Sequence, residues 1–248
     1  MDTLLAFWPA LAAGLLVSAT HVPLGMQVLA RGIVFIDLAV AQIAGLGIVA
    51  AAWAGLEPQG TALQSGAFGA ALAGALLFAW TERLWPEVQE AVIGVVFAVA
   101  ASASILLLAS SPHGGEHLKD MLAGQILWVR PATLAFPLAV TAAIAGVWFA
   151  ARGRVGRIGF YLLFACAVTV SVQLVGLYLV FATLIVPALA TRRFGKGRLA
   201  ACYAIAAAGY IAGLLLSTSS DLPPGPLIVC AMVAFGLPVF CMGRRVSA

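Results

Sequence analysis

Residues 31–53 read RGIVFIDLAVAQIAGLGIVAAAW, and this stretch decides what kind of molecule the chain is. Crossing a bilayer as a helix takes roughly 20 apolar residues, and the run from Ile33 to Trp53 supplies them with a single ionisable interruption, Asp37, six residues after Arg31. A charge inside a span costs roughly 2.5–3.5 kcal/mol even on insertion scales, so such a residue usually faces a partner, a cavity or a transport path. Asp37 is therefore expected to line a path, which makes the chain a transporter rather than an anchor. The plainer reading of the same residue is a buried packing or gating carboxylate, hydrogen-bonded to a neighbour. Gln42 in the same run is either a path residue or a polar clasp between helices.

The rest of the chain resembles this stretch. Of 248 residues, 63% are hydrophobic and 9% charged, with a mean hydropathy of +1.09. No soluble fold covers its surface with such a composition, so the bilayer is the solvent. Apolar runs long enough to span, or nearly so, fall at about 4–29, 33–54, 62–81, 91–109, 131–150, 158–173, 175–191, 199–217 and 226–243. The expected fold is all-α: a polytopic helical membrane protein of eight to nine transmembrane helices, forming one integral-membrane domain over residues 1–248. Glycine and alanine alternate in places, as in Gly66-Ala67-Phe68-Gly69-Ala70-Ala71-Leu72-Ala73-Gly74, a pattern suited to close helix contact in lipid. Cys166, Cys202, Cys230 and Cys241 lie in apolar stretches without metal-ligand or disulfide spacing and read as small hydrophobes. Met1-Asp2-Thr3 lacks the positive start of a signal peptide, so the first run is expected to be a retained helix.

Basic residues set the expected orientation. Putting Arg31, Arg83, Arg152, Arg154, Arg157, Arg192, Arg193, Lys196, Arg198, Arg244 and Arg245 inside leaves only Lys119 and Arg130 outside. The C-terminus is then cytoplasmic, and nine spans put the N-terminus outside. For 158–191 to lie between two cytoplasmic arginine clusters it must cross twice, turning near Gln173-Leu174-Val175-Gly176; a broken or re-entrant helix pair is the alternative. Pro23, Gly25 and Pro187 interrupt spans and free backbone groups that a neighbouring helix or a wet cavity must satisfy. The formal charge of +4 belongs to these loops and calls for no nucleic-acid partner.

Phe194-Gly195-Lys196-Gly197 lacks the spacing of a phosphate-binding loop, so any ATP hydrolysis belongs to another chain. His113, Glu116, His117 and Asp120 fall in one short loop. Their spacing matches the His-x-x-Glu-His pattern of metalloproteases, but Gly114 and Gly115 oppose the helix that pattern needs. The loop is then either a solvated connection or a place where a metal ion is first received. His21, beside Pro23, either lines the path or bonds a carbonyl. Glu87 and Glu90 stand at the start of a helix, where carboxylates complement its dipole. No residue is expected to be catalytic.

Five segments, in order, resemble the permease subunits of bacterial ABC importers for zinc and manganese: Leu29 to Asp37 with its arginine, phenylalanine and aspartate; Glu90-Ala91-Val92-Ile93-Gly94; Met121-Leu122-Ala123-Gly124-Gln125-Ile126-Leu127; Val175-Gly176-Leu177-Tyr178-Leu179-Val180 with Ile185-Val186-Pro187-Ala188; and Asp221-Leu222-Pro223-Pro224-Gly225. The resemblance implies a homodimeric, multi-pass permease in the bacterial inner membrane. Cytoplasmic ATPase subunits would bind the ATP, and a periplasmic or extracellular metal-binding protein would deliver the cargo. No cofactor would be held stably, since Zn2+ or Mn2+ is cargo, and lipids surround the whole.

Two departures stand out. Many relatives carry a histidine four positions after the aspartate; Ala41 stands there, and Gln42 follows about 140° round the helix. The cytoplasmic stretch that docks on the ATPase in relatives is replaced by the shorter basic Ala151-Arg152-Gly153-Arg154-Val155-Gly156-Arg157. Zinc is the first expected cargo and manganese the second. The alternatives are a permease for a metal chelate or other ligand, and a membrane scaffold that transports nothing.

Overall fold

A chain crossing hydrocarbon finds no water for its N–H and C=O groups and must bond them to itself, so it crosses as helix. The computed structural model describes residues 2–54, 61–108, 126–151, 155–220 and 222–242. Among them it forms α1 (Asp2–Arg31), α2 (Ile36–Trp53), α3 (Thr61–Leu84), α4 (Gln89–Leu108), α5 (Ala135–Ala150), α6 (Arg157–Val175), α7 (Leu177–Ala190), α8 (Arg198–Ser220) and α9 (Pro224–Met242). Short 3-10 turns lie at Pro86–Val88, Ile126–Trp128 and Pro131–Leu134, and no strand occurs among the described residues.

Each of the nine apolar runs corresponds to one helix. Eight helical stretches among the described residues are long and apolar enough to cross a membrane, and α7 is the exception. Its 14 residues reach about 21 Å at 1.5 Å per residue, short of a hydrocarbon core of roughly 30 Å. The helix breaks where the sequence suggested: Gly176, with φ 87°, separates α6 from α7 in a conformation that side-chain-bearing residues rarely adopt. Both helices are buried on most sides, whereas α4 and α5 bury only a few positions each.

α1 runs unbroken through Pro23. That proline cannot supply the N–H that would bond the Ala19 carbonyl, and the Tyr203 hydroxyl of α8 donates to it instead at 3.0 Å. α1 then closes on Gly32, φ 69°, where the Ile33 N–H returns to the Val28 carbonyl and the Gly32 N–H to that of Leu29. This glycine-ended helix stop turns the chain into α2 within four residues.

Small residues set the spacing between helices. Ala67, Ala71 and Ala75 form one fully buried stripe of α3, and Gly66 lies against Gly47 and Ala51 of α2. Gly25 lies against the Leu184 carbonyl where α1 meets α7, and Gly213 against the backbone of Ile228 where α8 meets α9; a Cβ at either would overlap those atoms. Gly25→Leu and Gly213→Leu are each expected to cost about 1–3 kcal/mol through overpacking. Gly69→Leu, at a position with nothing within 4 Å of a built Cβ, is expected to be neutral. Thermal midpoints of the purified protein in detergent check the contrast.

Candidate functional site

Asp37 lies in the first turn of α2 and is 0% exposed. Neither of its carboxylate oxygens has a hydrogen-bond partner among the described residues. No side chain among the described residues hydrogen-bonds to it, and it sits among the N–H groups of the first turn of α2. A second carboxylate comes to the same corner from α4. Glu90 Oε1 accepts the N–H of Phe35, the residue preceding α2, at 3.2 Å, and Oε2 is buried without a partner. Both stand at the N-terminus of α2, whose positive dipole end offsets part of the cost of burying negative charge there. What remains uncompensated suits a cation or a proton.

Three contacts fix this corner. Gln89, next to Glu90, donates from Nε2 to the Phe78 carbonyl of α3 at 3.1 Å and to the Tyr161 hydroxyl of α6 at 3.3 Å. The Phe35 ring stacks on Phe181 in the middle of α7, centroids 6.4 Å apart. Arg31, at the end of α1, lies 4.1 Å over the Phe160 ring and pairs with Glu82 of α3 at 3.6 Å, while Glu82 also receives Arg157 Nε at 3.0 Å. The approach to Asp37 is thus anchored to α1, α3, α4, α6 and α7.

The other sequence candidates fare differently. Gln42 is 4% exposed and its Oε1 has no partner, so no clasp through that oxygen joins it to a neighbouring helix among the described residues. His21 is fully buried in α1, and its Nδ1 lies 3.1 Å from the Val17 carbonyl and 3.1 Å from the Thr20 hydroxyl. A carbonyl only accepts, so Nδ1 carries the hydrogen and Nε2, which has no partner, keeps its lone pair. A histidine held through Nδ1–H to a carbonyl with Nε2 free has the arrangement used for metal ligation. No hydrogen bond joins His21, Asp37 and Gln42, and no group of three metal-binding side chains forms among the described residues.

His113, Glu116, His117 and Asp120 lie outside the described residues, as do Arg152, Arg154 and Asp221. Glu90 was the residue least legible in the sequence. It stands in the first turn of α4 as expected, and it also serves the start of α2, 55 positions earlier. Its place at the start of α2, near a spanning aspartate, follows only from how α2 and α4 pack.

A family model described as "ABC 3 transport family" matches residues 4–154 and 152–243. Among solved structures, PsaBC from Streptococcus pneumoniae in complex with Fab is similar with a TM-score of 0.73 at 19% identity, covering 95% of this chain and 91% of that one. Another, described as an inward-facing conformation of an ABC transporter assigned to the metal-chelate type, gives a TM-score of 0.64 at 16% identity, covering 94% and 85%. These identities speak to the fold. No curated protein matches in sequence.

Glu82 holds two arginines, so Glu82→Gln leaves both without their carboxylate. Arg31 is 27% and Arg157 45% exposed, and solvent screening limits the expected loss to about 1–2 kcal/mol. Arg157→Gln is expected to cost less than Glu82→Gln, because it breaks the more exposed pair alone. Thermal unfolding of the two variants in one detergent tests that order.

Proposed function

Because the chain belongs to the ABC 3 transport family, as the match over residues 4–154 and 152–243 shows, we propose that it is the membrane permease of an ATP-driven importer of divalent transition-metal ions, zinc first and manganese next. The observation that carries this reading is the Asp37 carboxylate, wholly buried and without a side-chain partner among the described residues. A buried charge without a hydrogen bond is costly, and the cost is lifted when a cation passes. A path residue must also release its ion, and a carboxylate without a complete ligand shell binds weakly enough to do so.

In this mechanism the permease makes and breaks no covalent bond. ATP hydrolysis in partner subunits shifts it between outward-open and inward-open states, and each state exposes the path to one side. Asp37 receives the ion at the start of α2, and Glu90 supplies further negative potential. The free Nε2 of His21 and the Oε1 of Gln42 are the softer and harder candidate ligands elsewhere on the path. Two copies of the chain around a central path, two cytoplasmic ATPase subunits and an extracytoplasmic metal-binding protein complete the assembly, with the C-terminus on the cytoplasmic side of the bacterial inner membrane.

Ala41 favours a second reading. Where relatives pair the aspartate with a histidine, this helix offers a methyl group, and a metal chelate that keeps its own ligands would need less from the path. A scaffold would need nothing from Asp37.

The test is cellular zinc and manganese content by mass spectrometry under metal starvation, with the protein present, absent or carrying Asp37→Asn at equal abundance. Deletion is expected to lower zinc, and Asp37→Asn to restore about a tenth or less of the wild-type uptake rate, equivalent to about 1.4 kcal/mol or more at the path. Uptake that survives Asp37→Asn but depends on an added chelator turns the assignment to a chelate, and unchanged metal content on deletion rejects transport of both ions.

A further inference from the structure

Between the end of α3 and the first turn of α6 lies a cleft of about 500 Å3 that the transport path does not use. Leu76, Ala79 and Trp80 of α3 and Ile158 of α6 form its apolar walls, and Arg83 and Arg157 its basic end. The cleft opens on the outside of the bundle: Leu76 is 51%, Trp80 55% and Ile158 56% exposed. Trp80 and Trp85 meet edge-to-face at 5.9 Å, amphipathic rings of the kind that sit at the level of lipid headgroups.

Charge is in excess at this end. Arg31 and Arg157 share the one carboxylate of Glu82, and Arg83 is exposed with no ion-pair or hydrogen-bond partner among the described residues. The backbone is open as well. A Cβ built on Gly156 would meet nothing within 4 Å, and one on Gly159 would meet only Val155 Cγ1, at 3.2 Å. The first helical hydrogen bond of α6 is Phe160 N–H to the Gly156 carbonyl, so the preceding N–H groups have no acceptor within the helix. A ligand with negative charge at one end and hydrocarbon at the other matches both halves of the cleft; a soluble anion would leave the apolar walls bare.

We propose that this cleft binds an anionic phospholipid, its phosphate between Arg83, Arg157 and the first turn of α6, its acyl chains along Leu76 and Ile158. Basic pockets between membrane helices recognise such headgroups by this combination of charge and apolar wall. The lipid would bridge α3 and α6 beside the Glu82 ion pairs.

The experiment uses the full-length protein in detergent, titrated with phosphatidylglycerol, phosphatidylcholine or glycerol phosphate, with native mass spectrometry and thermal shift as readouts. Phosphatidylglycerol is expected to remain bound and to raise the midpoint; the zwitterionic lipid and the soluble phosphate are not. Arg83→Gln is expected to weaken phosphatidylglycerol about fivefold, Arg83→Lys to keep most of the affinity, and Gly156→Leu to block the cleft without changing charge. Should Gly156→Leu not fold, Arg83→Gln still decides. Equal effects of the two lipids, or unchanged phosphatidylglycerol affinity in Arg83→Gln, overturn the proposal. Protection of Gly156→Cys from a maleimide by a purified ATPase subunit, but not by phosphatidylglycerol, also overturns it and assigns the cleft to a protein.

Discussion

Hydrocarbon cannot hydrogen-bond, and the rest of this structure follows from that constraint. It makes every spanning segment a helix and turns each irregularity into a demand on a neighbour. Pro23 shows the demand most plainly: the carbonyl of Ala19 loses its helical partner, and Tyr203 from α8 supplies one. The α1–α8 contact therefore satisfies the backbone as well as packing against it. Where α1 ends, Gly32 lets the last carbonyls turn back on Ile33 and on itself, so the reversal into α2 also leaves fewer groups unpaired.

Against this well-satisfied backbone the side chains of the candidate path stand out. Asp37, Glu90, Gln42 and His21 each bury a polar atom with no partner among the described residues. A native interior tolerates few such atoms; these four residues lie on α1, α2 and α4, and Glu82 Oε2, Gln89 Oε1, Thr169 Oγ1 and Arg198 Nε are also buried without a hydrogen bond among the described residues. The neighbouring ionic and aromatic contacts are made: Arg31 has Glu82 and Phe160, and Gln89 has Phe78 and Tyr161. Open polar atoms are thus spread beyond the candidate path, and what sets Asp37 apart is that a carboxylate there is wholly buried.

The short α7 bears on the proposed alternating access. α7 is too short to cross by itself, is buried on most sides, and meets α2 through the Phe35–Phe181 stack. Gly25 lets α1 lie directly on its backbone at Leu184. Movement of α7 would be felt at the start of α2, where Asp37 sits, which gives the proposed cycle a short mechanical connection between the core and the path.

The amino-acid sequence by itself determined the class of solvent, all nine helical runs, the turn at Gly176 and the presence of Asp37 inside a span. Each of these rests on local composition: a run of apolar residues has one stable answer in lipid, and a glycine between two such runs is where a helix can break at little steric cost. Only the tertiary structure decided that Asp37 has no side-chain partner among the described residues, that Glu90 also serves the start of α2, that Nδ1 of His21 bonds the Val17 carbonyl and that Arg31 and Arg157 share Glu82. Those facts depend on which faces of distant helices meet. Periodicity cannot supply them in helices that are apolar nearly all round, because such a helix presents no polar face to say which side turns inward.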